Sequence, residues 1–186
     1  MTFRSVNFDS GDCGVDCPQV IVAEGVIVTD TPQAFADFAH EAAKAPRLPA
    51  LILINSPGGN VVASMELGFE FRKLRAAVMV AGFASVGARS GPVAGQCLSA
   101  CVYALMGAAR RVAPAESRLG LHRMYLDASG GGAEVADRAF VGRLASYAAR
   151  MGVSPALVWR AESLPPGVLH VLSQQEIARW RLASAR

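Results

Sequence analysis

Two side chains in this sequence have types and positions suited to covalent chemistry, Ser99 and His122. Both lie in GQCLSACVYALMGAARRVAPAESRLGLH, residues 95–122. A glycine-led turn delivers Ser99 to the start of an apolar helix read as Ser99–Gly107. His122 follows the strand-like run Arg118–Leu121. A serine hydroxyl is a weak nucleophile until a neighbouring base removes its proton, and a histidine brought close to it would do so. A serine at a helix start also lies beside backbone N–H groups that have no partner within the helix and can receive a developing oxyanion. This stretch can therefore supply a nucleophile, a base and part of an oxyanion hole.

A second stretch has to meet the first. Leu51–Ile54 (LILI) is an uninterrupted apolar run, as expected for a strand buried on both faces of a parallel sheet. It leads into Asn55-Ser56-Pro57-Gly58-Gly59-Asn60 and then an amphipathic helix to about Arg75. Strand, glycine turn and helix make half of a βαβ unit. Paired glycines at the carboxyl end of a strand let backbone N–H groups face a ligand unobstructed; they also suit a plain tight turn.

The remaining elements follow from periodicity and turn chemistry. Val20–Thr29 is β-branched and interrupted at Glu24–Gly25, which reads as two short strands or one bent one. Thr31 and Pro32 open a helix as cap and first-turn residue, with Phe35, Phe38 and Ala42 as its core face. Ala77–Ala81 is the next strand, Phe83–Ala94 an irregular connection, and Arg111–Ala113 a short strand. Val102, Leu105 and Met106 are the core residues of the helix behind Ser99. Asp127–Gly132 is a loop, Glu134–Met151 a long helix ended by Gly152, and Ser154–Pro155 opens another helix to about Ala161. Two prolines break the chain at Leu164–Gly167, and Ser173 with Glu176 forms a capping box for the last helix. The pattern is α/β, a mostly parallel sheet flanked by helices, with no internal repeat.

Composition narrows the function. The 186 residues suit a single domain, and 52% of them are hydrophobic against 18% charged, an apolar balance that leaves room for subunit interfaces. The net charge is only +3. The basic residues are scattered without interleaved aromatics, so nucleic-acid binding has little support. No run of eighteen apolar residues occurs, and no membrane span is expected. The N-terminus lacks the apolar core of a signal peptide, although a chain trimmed of its leader would look the same.

The four cysteines form two i, i+4 pairs, Cys13/Cys17 and Cys97/Cys101. Neither pair is CxxC and no histidine completes a zinc set, so no metal site is expected. They read either as buried or incidental thiols or as disulfides of an oxidising compartment. On the second reading Cys97–Cys101 braces the turn carrying Ser99, and a periplasmic or otherwise exported setting is favoured over the cytoplasm. Of the other polar residues, His40 reads as solvent-facing and His170 as structural or at the rim of the site. Arg110–Arg111 reads as a solvated turn or subunit contact, and Asp137 and Arg138 as interface or surface charges.

The order of INSPGG (54–59) after a buried strand, Ser99 at a helix start and His122 at a strand end resembles the Clp protease proteolytic subunit, within the wider Clp/crotonase fold. The resemblance spans roughly Val20 to Arg181 and implies a ββα spiral, with residues 20–186 as one domain and 1–19 as an N-terminal extension. It implies a serine peptidase with Ser99 as nucleophile and His122 as base. The N–H groups of Gly59 and Ala100 would form the oxyanion hole, with Gly58 shaping the turn. It further implies a peptide or protein substrate, no cofactor and a homo-oligomer, the long helix Glu134–Met151 corresponding to the family's handle.

The sequence also departs from that family. Alignment puts Leu169 where the third triad member, an aspartate, is expected. Glu162 is the candidate substitute if the two prolines mark an insertion, and Asp127 is a nearer but weaker candidate. Losing the orienting acid costs about 10^4 in turnover where a triad is otherwise complete, so a degenerate scaffold or binding protein is the alternative. The CLSAC turn is bulkier than the family's small-residue turn and suits a divergent, exported bacterial branch. The segment before Val20 does not resemble the axial loops that engage an unfoldase ATPase, which argues against that partner. An acyl-CoA enzyme of the crotonase type would need a CoA-binding surface that the sequence does not display.

Overall fold

The computed structural model describes residues 1–7, 19–44, 51–86, 89–127, 133–135 and 137–183. Cys13, Cys17 and residues 128–132 of the expected loop lie outside them. The chain starts with β1 (Thr2–Asn7), antiparallel to β2 (Gln19–Glu24), with Thr2 opposite Glu24 and Asn7 opposite Gln19. Residues read as an extension thus supply an edge strand. Its anchor is Phe3, whose ring packs 5.1 Å from that of Phe35, a long-range contact that local alternation does not reveal. Past β2 the chain bends, and Ile27 forms an isolated bridge to Gly59, so Val20–Thr29 is indeed two extended pieces.

The cap of helix α1 (Thr31–Ala42) lies one residue earlier than expected. Asp30 is the N-cap, and the Thr31 hydroxyl accepts from the Val28 N–H at 2.9 Å. Phe35 and Ala39 form its buried face, Phe38 is partly buried and His40 is exposed. β3 (Leu51–Asn55) sends Ile52 and Ile54 into the main core and Leu53 into a smaller cluster with Val20, Val22 and Ala81. Burial on both faces explains its unbroken apolar run. Asn60 caps α2 (Val61–Lys73) by accepting from the Ala63 N–H at 2.9 Å.

β4 (Ala77–Val86) continues well past the expected end and pairs antiparallel with β5 (Arg89–Ala94). Residues 83–94 are therefore mostly sheet rather than irregular connection. Gly91 and Pro92 disguise β5, and proline is tolerated there because an edge strand leaves one side of its backbone unpaired. β6 (Gln96–Leu98) leads to α3 (Cys101–Gly107), which is buried along its whole length. β7 (Arg110–Val112) and β8 (Arg118–Leu121) follow, and then the two arms of a small antiparallel sheet, β9 (Tyr125–Asp127) and β10 (Ala133–Val135). Helix α4 (Arg138–Arg150) starts later than expected because Asp137 caps it, accepting from the Phe140 N–H at 2.6 Å. Asp137 is thus an exposed charge that also caps the helix, and Glu134 belongs to β10. α5 (Ala156–Glu162), β11 (His170–Val171) and α6 (Gln174–Arg179) complete the chain, the last with the expected Ser173–Glu176 capping box.

The main sheet runs β1-β2-β3-β4, with β7 parallel to the first half of β4 and β5 antiparallel to its second half. Pairings β2–β3, β3–β4 and β4–β7 are parallel. The fold is mixed α/β with a largely parallel central sheet flanked by helices. A second sheet, β11-β8-β6, joins β8 to β6 in parallel and carries the two candidate chemical residues at its ends.

One guanidinium ties together the ends of three helices. Arg111 donates through Nη1 to the carbonyls of Met106, Ala108 and Met151, through Nε to Leu182 at 2.7 Å, and through Nη2 to Arg181. These carbonyls close α3, α4 and α6, where unpaired acceptors and the helix dipoles favour a cation. Arg111 is therefore a structural residue, not a solvated turn. Its burial, followed by the nearby charge of Arg72, lowers its pKa. We expect Arg111→Met to lower the unfolding free energy by about 3 kcal/mol in urea titrations, since charged donors are lost and buried carbonyls are left unpaired. Arg111→Lys should recover only part of that loss, because an ammonium lacks the planar fork.

Candidate active site

The Ser99 hydroxyl owes its position to three local devices. β6 carries the chain to Leu98, and Ala100 is the N-cap of α3, so Ser99 occupies the corner before the helix rather than its first turn. Its φ is +54°, in the left-handed region that residues with a Cβ seldom occupy. The corner is held by the Ser99 N–H, which donates to the Gly120 carbonyl of β8 at 2.8 Å. Cys97 and Cys101, both fully buried, are joined by a disulfide across it.

His122 follows β8 directly, and its Nε2 lies 2.7 Å from Ser99 Oγ. On the other side of the ring Nδ1 meets the Arg123 carbonyl oxygen. A carbonyl can only accept, so Nδ1 carries the proton and Nε2 is left to accept from the serine hydroxyl. That tautomer is the one a base toward Ser99 requires. The lysines do not compete for the role: the chain has only Lys44 and Lys73, which pair with Glu41 and Glu70 on the surface.

The glycine turn lies against the serine corner. A methyl group on Gly58 would stand 2.6 Å from the Leu98 carbonyl oxygen and 2.8 Å from Ser99 Cβ, and one on Gly59 would collide with the Ile27 carbonyl. Gly58 and Gly59 also have φ of +108° and +140°. Neither position accommodates another residue without displacing its neighbours. The turn is held by Ile27, whose N–H donates to Gly58 and whose carbonyl accepts from Asn60, both at 2.8 Å. The buried Ser56 hydroxyl accepts from the Gly58 N–H at 3.1 Å. Ser56 also exchanges backbone hydrogen bonds with Gln96 and Leu98, and Asn55 Oδ1 accepts from the Gln96 N–H at 3.1 Å. The backbones of Gly59 and Ala100 thus come from two turns stitched into one unit.

The candidate acids are arranged differently from one another. Glu162, the last residue of α5, accepts from the Met124 N–H at 3.1 Å, and its carbonyl receives Arg123 Nε at 2.8 Å. Burial pushes the Glu162 carboxyl up; the Met124 N–H and the charges of Arg123 and His122 act against that shift. The carboxylate is thus an electrostatic neighbour of His122 while its hydrogen bond goes to Met124. Asp127 lies in β9. In the β11–β8 register His170 faces Leu121, and extending that register by one step sets Leu169 opposite His122. Leu169 and Leu98 fill the space over Gly120, where a Cβ would meet their side chains at 3.3 and 3.2 Å. His170 turns away from the serine and pairs through Nε2 with Glu176 at 2.8 Å. Ser56 and the Arg123 carbonyl are contributors that sequence reasoning did not single out. Ser56 stood within the quoted motif, whereas nothing in the side chain of Arg123 signals the role of its carbonyl. Among the described residues no cluster of His, Cys, Asp and Glu could hold a metal.

No protein-family model and no curated protein sequence matches the chain. Solved structures do. A serine-to-alanine mutant of the 1510-N membrane-bound stomatin-specific protease superposes with a TM-score of 0.59 at 15% identity, covering 87% of this chain and 75% of that one. A lysine-to-alanine mutant of the same protease, in complex with a substrate peptide, gives 0.59 at 16% identity over 88% and 72%. ClpP1 from Listeria monocytogenes gives 0.56 at 18% identity over 88% of each chain. The chain has a Clp-protease-like fold.

The raised pKa of Glu162 has a consequence for stability. Because the unfolded carboxyl releases its proton at lower pH than the folded one, stability contributed by this group falls as pH rises from the ordinary carboxylate range through the folded value. Glu162→Gln keeps an acceptor for the Met124 N–H and cannot ionise. The difference in urea midpoint between Glu162→Gln and wild type should therefore grow in the variant's favour across that window and level off above it. A difference independent of pH would contradict the assignment.

Proposed function

We propose that the chain is a serine hydrolase that cleaves peptide bonds through an acyl-enzyme. The observation that carries this reading is the 2.7 Å contact between Ser99 Oγ and His122 Nε2, with the ring proton held on Nδ1 by the Arg123 carbonyl. In the first half-reaction Ser99 Oγ attacks the substrate carbonyl carbon while His122 Nε2 takes the hydroxyl proton. The oxyanion is received by the N–H groups of Gly59 and Ala100. His122 then passes the proton to the leaving amine as the C–N bond breaks. Water attacks the resulting ester, again deprotonated by His122, and Ser99 is regenerated. The Glu162 carboxylate, close enough to feel the His122 charge, supports the imidazolium from a distance. The substrate class is peptide or protein, in keeping with the fold's protease neighbours. We place the protein as a homo-oligomer in an oxidising, exported compartment, on the strength of its apolar composition and the Cys97–Cys101 bridge.

A second reading, a scaffold that has lost catalysis, is favoured by Leu169 opposite His122. Fluorophosphonate labelling and peptide hydrolysis separate the two. Purified wild type should react at Ser99. Ser99→Ala should abolish labelling, and His122→Ala should slow it by about 10^4. Leu169→Asp, which returns a carboxylate to the imidazole, should raise the wild-type rate by about tenfold or more. Absence of labelling in folded wild type, or hydrolysis undiminished in Ser99→Ala, would overturn the hydrolase reading.

A further inference from the structure

We propose that the Cys97–Cys101 disulfide is the positioning element of the Ser99 corner, so that the site is complete in the oxidised chain and disarmed when the bridge is reduced. This rests on the hydrolase reading for its activity readout, though the geometry it concerns is independent of that reading. The bridge closes a loop of five residues, Cys97-Leu98-Ser99-Ala100-Cys101, with its ends 5.2 Å apart between Cα atoms. That loop contains the serine and the Ala100 N–H, one donor of the proposed oxyanion hole.

The two sides of the corner are secured unequally. Upstream, β6 is pinned by backbone bonds: Leu98 N–H to Ser56, Ser56 N–H to Gln96, and the β6–β8 ladder. Downstream, α3 begins at Ala100, which offers no side-chain cap. The disulfide ties the first residue of this helix back to the strand. Ser99 is held there at φ +54°, against its intrinsic preference for the right-handed region. Serine is itself a favoured N-cap, a position with φ in the ordinary negative region. With the bridge opened, Ser99 can relax toward a helical conformation and α3 can extend backward by a residue or two. That rotation carries Oγ away from His122 Nε2 and shifts the Ala100 N–H.

Opening the bridge is ordinary thiol–disulfide exchange. A dithiol supplies two electrons and two protons, the S–S bond breaks to two thiols at Cys97 and Cys101, and the dithiol closes to its own disulfide. Both cysteines are fully buried, so exchange should be slow in the folded chain and the bridge should persist once formed. A reducing compartment would then keep newly made chains disarmed; on export a disulfide donor would take up the two electrons and two protons, being reduced to its dithiol as Cys97 and Cys101 close, and so complete the site.

The experiment compares oxidised wild type, dithiothreitol-reduced wild type, the same sample re-oxidised, and Cys97→Ala/Cys101→Ala. Fluorophosphonate labelling is measured over a range of probe concentration, with circular dichroism alongside. We expect the saturating labelling rate to fall by about a hundredfold in the reduced and double-variant forms, as for a small misplacement of a reacting group. The half-saturating probe concentration and the secondary structure should be retained, and re-oxidation should restore the rate in wild type. Equal saturating rates in all forms would overturn the proposal. So would a loss that merely tracks melting of the protein in both the reduced and the double-variant forms. Histidine ring 15N shifts read the Ser99–His122 hydrogen bond without any reaction. If oxidised wild type fails to label, the hydrolase reading falls, and a redox-dependent change in those shifts still supports the positioning role while unchanged shifts overturn it.

Discussion

The close approach of two backbone turns governs this site. Gly58 sits so near Ser99 that even a methyl group would overlap the serine's own Cβ and the Leu98 carbonyl. Everything around it maintains that proximity. Ile27 grips the glycine turn from one side through two main-chain hydrogen bonds, and Ser56 holds β6 from the other. Behind them, β3 is fixed by burial on both faces, with Ile52, Leu53 and Ile54 fully inaccessible to water. The apolar core thus bears on chemistry through a short mechanical path. Burial sets the sheet, the sheet sets two turns, and the turns set where N–H groups and a hydroxyl meet.

The main chain supplies one orienting contact of the histidine, the Arg123 carbonyl at Nδ1. An aspartate in the usual place would do two things, fix the imidazole tautomer and offset the positive charge that forms on it. The Arg123 carbonyl does the first as well as a carboxylate would, because it can only accept. For the second it offers a dipole in place of a full negative charge. Glu162 supplies negative charge at one remove, and its own raised pKa measures the desolvation it bears.

Much of the fold was legible because the signals are local. The buried run Leu51–Ile54, the glycine turn that follows it and the Ser173–Glu176 box each announce themselves within six residues. The pairing of Ser99 with His122 was legible from type and order, and the Cys97–Cys101 bridge was one of two readings of the cysteine spacing. What escaped has one physical character. β1 depends on the distant Phe3–Phe35 contact, and β5 hides a strand behind Gly91 and Pro92 on an edge where proline does no harm. The start of α4 turned on a hydrogen bond from one side chain, Asp137, rather than on periodicity. Arg111 looked like a surface residue because its partners are carbonyls of α3, α4 and α6, invisible in a sequence. The orienting carbonyl of Arg123 belongs to the same class.

That division also accounts for how a Clp-protease-like fold can persist with so little sequence in common with its structural neighbours. Most of what defines the site is contributed by backbone: the Gly58–Gly59 turn, the Ala100 N–H, the Gly120 carbonyl that receives Ser99, the Arg123 carbonyl that receives His122. Backbone groups remain in place under almost any substitution that preserves strand register and core volume. Side-chain contributions carry no such protection. Leu169, which sequence alignment sets at the family's acid position, is 38% exposed. Ser99 and His122, by contrast, are embedded in the backbone network that surrounds them. A disulfide across the serine corner is the complementary change, since it adds covalent constraint at the one side of that corner where α3 brings no capping side chain of its own.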